Sequence, residues 1–135
     1  MTSSLRVEDY MVGDVIKVHP ETTVNEAIGL LLKHGISGMP VVDDAGRLMG
    51  MLSERDCLKT FVSARYYDEP TTCVRDLMSE PGETVGPQTD ILEVAELFLH
   101  KKLRRLPVLE DDRLVGQISR RDVLRALQEG HWSEK

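Results

Sequence analysis

Cysteine is scarce, with only Cys57 and Cys73 in 135 residues. Two thiols are too few for a disulfide scaffold, and with no second pair they do not form a zinc site of the usual spacing. Aromatic residues make up 4% of the chain, which argues against a platform for stacking unpaired bases. No run approaches the roughly 18 apolar residues of a membrane helix. The start, Met1-Thr2-Ser3-Ser4-Leu5-Arg6, lacks the basic segment and long apolar stretch of a secretory signal. Positive charge is the minority sign, 17 Lys and Arg against 23 Asp and Glu, for a net charge of −6. Nucleic acid is then a poor default partner. His19, His34, His100 and His131 are scattered without ligand spacing, and no Gly-rich phosphate loop, Ser-His-Asp set or Cys-His set appears. The expectation is a cytoplasmic protein that is not an enzyme, with no catalytic residue, no metal, no membrane and no nucleic acid.

What the chain does contain is a repeat, and a repeat decides the fold before any local pattern. Val7-Glu8-Asp9-Tyr10-Met11 returns as Val74-Arg75-Asp76-Leu77-Met78, and Val18-His19-Pro20 as Val85-Gly86-Pro87, both 67 residues on. Met39-Pro40-Val41-Val42 returns as Leu106-Pro107-Val108-Leu109. Leu48-Met49-Gly50-Met51-Leu52-Ser53 returns as Leu114-Val115-Gly116-Gln117-Ile118-Ser119 after one residue near Gly46 is lost. Copies this short sit near the lower limit of independent stability, so the two should share a core.

Within each copy the periodicity changes in order. Val24, Ala27, Ile28, Leu31 and Leu32 have helical spacing, as do Ile91, Val94, Ala95, Phe98 and Leu99. Thr23 with Glu26, and Asp90 with Glu93, stand at capping-box spacing. Two short apolar runs follow around an acidic turn, Asp43-Asp44-Ala45-Gly46 or Glu110-Asp111-Asp112, and read as a hairpin. A second helix starts at Ser53 or Ser119, carrying Cys57, Leu58, Phe61 and Val62 in one copy and Val123, Leu124 and Leu127 in the other. The expected order is strand, helix, strand, strand, helix. The expected domains are residues 1–62 and 74–128, with a polar linker at 63–73 carrying Tyr66, Tyr67 and Pro70. A frayed tail follows at 129–135, where Trp132 is available to a partner.

These features resemble the CBS domain in its tandem form, the Bateman module, over about Val7 to Leu127. The shared marks are the duplicated x-Pro-Val strand after an amphipathic helix, the h-x-Gly-x-h strand, and Ser-x-x-Asp opening the last helix. That last mark is Ser53-Glu54-Arg55-Asp56 in one copy and Ser119-Arg120-Arg121-Asp122 in the other. The resemblance implies an α/β (α+β) fold of two CBS domains, each a small mixed sheet with two helices, packed about a pseudo-twofold axis with two clefts. It implies a regulatory or sensory module that takes adenosine-containing ligands there, namely AMP, ADP, ATP or S-adenosylmethionine, with no cofactor required. It also implies a homodimer.

Asp56 and Asp122 suit a ribose, because an ionised carboxylate has acceptor oxygens for neighbouring hydroxyls and is favoured in the first turn of a helix. Ser-x-x-Asp is equally a capping box that stabilises a helix by about 0.5–2 kcal/mol with no ligand. By similarity to AMP-binding members, the preferred cleft is expected to use Thr22, Ala27, Ile36, Ser37, Gly38, Ser119 and Asp122. Adenine would be read by backbone groups of Ile36-Ser37-Gly38, and phosphates by Arg104 and Arg105. With Lys101 and Lys102, those arginines also read as a solvated basic helix end. The second, weaker site centres on Ser53 and Asp56. There Glu54 stands where the other copy has Arg120, and Lys102 replaces the glycine found at Gly35. A ligand-free dimeric scaffold regulating a separately encoded enzyme or transporter is the alternative function.

Overall fold

In the computed structural model, residues 5–63 and 72–130 are described. The first long helix forms where apolar spacing and its cap place it. This is α2 (Val24–His34), whose N-terminal amide of Glu26 donates to the Thr23 side chain. Gly35 ends it in the left-handed region at φ 63°, a conformation glycine adopts without steric cost. β1 (Gly38–Val42) and β2 (Leu48–Ser53) make the expected antiparallel hairpin, and α3 (Glu54–Val62) follows directly. The second copy repeats this as α5 (Ile91–His100), β3 (Arg105–Glu110), β4 (Arg113–Ser119) and α6 (Arg120–Glu129).

Several details depart from the sequence expectation. Each copy opens with an unanticipated four-residue helix, α1 (Val7–Tyr10) or α4 (Val74–Leu77). The strand expected ahead of α2 shrinks to a single parallel bridge from Val18 to Val41, matched by Val85 to Val108. Asp90 accepts from the Leu92 amide, so its box with Glu93 does not close, and Glu26 Oε1 accepts from the Thr23 hydroxyl instead of from a backbone amide. Leu32, Leu58, Val62, Leu99 and Leu124, all on faces read as apolar, are exposed. Tyr66, Tyr67, Pro70 and Trp132 lie outside the described residues.

The compact units do not follow the sequential copies. One unit is the continuous stretch Ile16–Gly82, and the other joins Met1–Val15 to Glu83–Lys135. Each takes its four-residue helix from the opposite copy. In the continuous unit Val74 and Leu77 of α4 are 0% and 1% exposed, packed with Val18, Leu31, Met39 and Leu52. In the other, Val7 of α1 packs with Ile91, Val94, Leu106 and Ile118. The backbone makes the same exchange. Met51 bridges Ser79 and Gln117 bridges Val12, adding a further antiparallel contact beyond each hairpin and a mixed character to each sheet. Thr72 and Cys73, at the end of the expected linker, already belong to the continuous unit, since the Val24 amide donates to Thr72 O and Thr23 bridges Cys73.

Candidate functional site

Both Ser-x-x-Asp segments close as full capping boxes. In the continuous unit the Ser53 amide donates to Asp56 Oδ2 at 3.0 Å and the Asp56 amide to Ser53 Oγ at 3.0 Å. Asp56 is 6% exposed and has two further partners, the Ser79 hydroxyl and the Lys59 ammonium, at 3.2 and 3.3 Å from Oδ1. In the other unit the Ser119 amide and hydroxyl reach Asp122 Oδ2 at 2.8 and 2.9 Å, and Arg125 Nη1 reaches Oδ1 at 3.2 Å. Asp122 is 7% exposed. The Arg125 guanidinium also donates to Tyr10 O and lies 5.7 Å from the Tyr10 ring centre.

A carboxylate offers about four lone-pair sites. Among the described residues a single donor reaches Asp122 Oδ1, so that oxygen keeps capacity for a hydroxyl, whereas Asp56 Oδ1 already holds Ser79 and Lys59. The two acids are alike in position and unequal in availability. Arg125 and Lys59, three residues after each acid on one helix face, escaped the sequence reading although their spacing is a readable signal. Ser79 carried no such signal.

The expected site residues divide between the units. Thr22, Ala27, Ile36, Ser37, Gly38, Ser53 and Asp56 fall in the continuous one, and Arg104, Arg105, Ser119 and Asp122 in the other. Gly38 pairs with Ser53 in the hairpin register, and the Glu54 amide donates to Ser37 O, so the segment before Pro40 meets the N-terminus of α3. Correspondingly, Arg105 pairs with Ser119 and the Arg120 amide donates to Arg104 O. Thr22 and Ala27 are not brought to Ile36. Thr22 precedes α2 and Ile36 follows it, with 11 residues and about 16 Å of helical rise between. Ala27 is 0% exposed in the core and presents no surface.

The thiol of Cys57 is buried, and burial pushes its pKa up, with the nearby Asp56 and Glu54 charges adding to the effect, which disfavours the nucleophilic thiolate. Among the described residues, no group of three or more His, Cys, Asp or Glu could hold a metal ion, and no helix is long and apolar enough to cross a membrane.

The CBS domain family model matches residues 7–63 and again 74–129. The chain belongs to the CBS-domain family, as a tandem pair. Among its relatives, the CBS domain-containing protein YhcV of Bacillus subtilis is 32% identical over 118 residues, covering 87% of this chain and 81% of YhcV. Inosine-5'-monophosphate dehydrogenase of Methanocaldococcus jannaschii is 32% identical over 121 residues, 89% of this chain; the chain spans only 23% of that enzyme's length. Among solved structures, CBSX2 in complex with AMP superposes with a TM-score of 0.79 at 32% identity, covering 92% of this chain and 96% of CBSX2.

Proposed function

We propose that this chain is a regulatory module that binds an adenine nucleotide or related adenosine compound through its paired CBS domains, without catalysing a reaction. The observation that carries the reading is Asp122, a nearly buried carboxylate at a helix N-terminus with one oxygen able to accept a further hydroxyl. The AMP complex of CBSX2 supports the ligand class. In this reading Asp122 holds the ribose, Ser119 orients Asp122, and Arg104 and Arg105 receive phosphate. Asp56, with Oδ1 occupied and Glu54 beside it, forms the weaker site. Ligand shifts the protein only by its unequal affinity for two arrangements, so a sensor must bind and change state together.

Titration calorimetry with AMP, ADP, ATP and S-adenosylmethionine tests this on the native chain, Asp122→Asn and Asp122→Ala. Asn keeps an oxygen for the Ser119 amide but loses carboxylate acceptance, so Asp122→Asn is expected to fold and to lose binding. No heat and no thermal shift with any of the four ligands would remove the reading. A second reading, a ligand-free homodimeric scaffold for a separately encoded partner, is favoured by one feature. Leu32 and Leu58, 76% and 59% exposed, flank a hollow of about 330 Å³ on the continuous unit. It requires a dimer by sedimentation and no nucleotide binding, with Asp122→Asn changing stability alone.

A further inference from the structure

The sequence shows a basic run at residues 101–105, and the fold enlarges it. Because Arg105 pairs with Ser119, and Arg120 donates to Arg104 O through its amide at 3.4 Å and to Leu103 O through Nε at 2.9 Å, residues 120 and 121 join that run at one end of the sheet. Six cations, Lys101, Lys102, Arg104, Arg105, Arg120 and Arg121, are thereby gathered within one unit of a chain whose net charge is −6. Two acids stand close by and each is engaged, Glu83 with Lys101 at 2.6 Å and Asp122 with Arg125 at 3.2 Å. Lys102, Arg104, Arg120 and Arg121 have no acidic partner among the described residues. The repeat supplies an internal contrast. The equivalent positions in the other unit are His34, Gly35, Ser37, Gly38, Glu54 and Arg55, with one permanent cation and one anion.

Like charges gathered together repel one another, and a dense anion relieves that repulsion. We infer that the basic end formed by residues 101–105 and 120–121 binds an oligophosphate chain, so that this module selects nucleoside triphosphates over monophosphates and rejects the cationic S-adenosylmethionine. The inference deepens the adenine-nucleotide reading and rests on it for the nucleoside half of the ligand. A nucleic-acid strand fits less well, since these two segments carry no aromatic side chain and Asp122 shares the helical turn of Arg120 and Arg121.

The test compares AMP, ADP, ATP, S-adenosylmethionine and inorganic tripolyphosphate by calorimetry at about 50 and about 300 mM salt, since exposed charge pairs weaken with screening. The native chain is set against the double variant Lys102→Glu/Arg121→Glu and against Lys33→Glu/Arg113→Glu. The second pair changes the net charge equally at positions outside residues 101–105 and 120–121, and circular dichroism confirms folding of each. ATP is expected to bind about tenfold or more tighter than AMP at low salt. The gap should narrow at high salt and vanish only in Lys102→Glu/Arg121→Glu. Equal affinity for AMP and ATP, or equal losses in both double variants, overturns the inference and leaves the adenine-nucleotide reading standing. Binding of tripolyphosphate with no gain from adenosine supports the inference and removes that reading, and no heat from any ligand ends both.

Discussion

At the scale of single residues, the glycines of the two h-x-Gly-x-h strands show how a motif visible in the sequence gets its reason from the fold. A Cβ placed on Gly116 would lie 2.8 Å from Val12 O and 2.7 Å from Met11 Sδ, and one on Gly50 would lie 2.6 Å from Ser79 O. A thioether can swing aside, but the carbonyls are main chain, and Val12 O accepts the Gln117 amide at 2.9 Å. Gly116→Ala is therefore expected to destabilise the chain by about 1–3 kcal/mol, as overpacking does. Gly29, within α2 and with open space around its Cα, supplies the contrast. Gly29→Ala should stabilise by about 0.5–1 kcal/mol through helix propensity. Urea midpoints read both, and a Gly116→Ala midpoint equal to that of the native chain would refute the close-approach account. The repetition of Gly50 and Gly116 was legible in the sequence. Their neighbour was not, because nothing local announces that Met11-Val12 and Met78-Ser79 return to the far edge of a hairpin.

At the scale of elements, the two hairpins solve one problem by different chemistry. Between β1 and β2 the Asp43 carboxylate accepts from the Ala45 and Arg47 amides and from Arg47 Nε, each at 2.9 Å. The Arg47 amide first, then the Arg47 guanidinium and the Ala45 amide, hold the Asp43 carboxyl below the ordinary carboxylate range. Between β3 and β4, where the connection is two residues long against five, Asp111 and Asp112 adopt φ 53° and 67°. Two consecutive left-handed residues match the twist of a two-residue hairpin loop but suit glycine better than aspartate. Asp112→Gly is expected to stabilise by about 0.5–1 kcal/mol, seen as a higher melting temperature. An unchanged or lower value would mean that Asp112 adopts its positive φ without strain. The hairpins and long helices were legible because alternation and helical spacing run through them. The helices α1 and α4, a single turn each, and strands reduced to one bridge leave no period to read. The same patterning hid which leucines are buried, since Leu31 and its exposed neighbour Leu32 both fit an apolar stripe.

For the whole molecule, the repeat in the sequence and the units of the fold are different divisions of one chain. The family match runs over 7–63 and 74–129, while the continuous unit runs over Ile16–Gly82. Similarity alone could not separate the two, because Val7 and Val74 stand 67 residues apart in equivalent motifs and either would fill either core. Only packing assigns Val74 and Leu77 to the cluster around Met39 and Leu52, and Val7 to the cluster around Leu106 and Ile118. A fragment spanning residues 16–82 contains every buried residue of its own core. A fragment spanning 1–62 lacks Val74 and Leu77 and carries Val7, whose partners Ile91 and Leu106 are missing. The first is expected to show helical circular dichroism and a cooperative urea transition. Its stability should be low, of a few kcal/mol at about the smallest size that folds alone. The second should melt gradually, with exposed apolar surface that binds a hydrophobic dye. Adding a synthetic peptide of residues 72–82 to the 1–62 fragment should restore cooperativity, since it returns α4 and Ser79 to the sheet edge and core they occupy. A 1–62 fragment that unfolds as sharply as 16–82, with no response to that peptide, would place the folding boundary at the repeat after all.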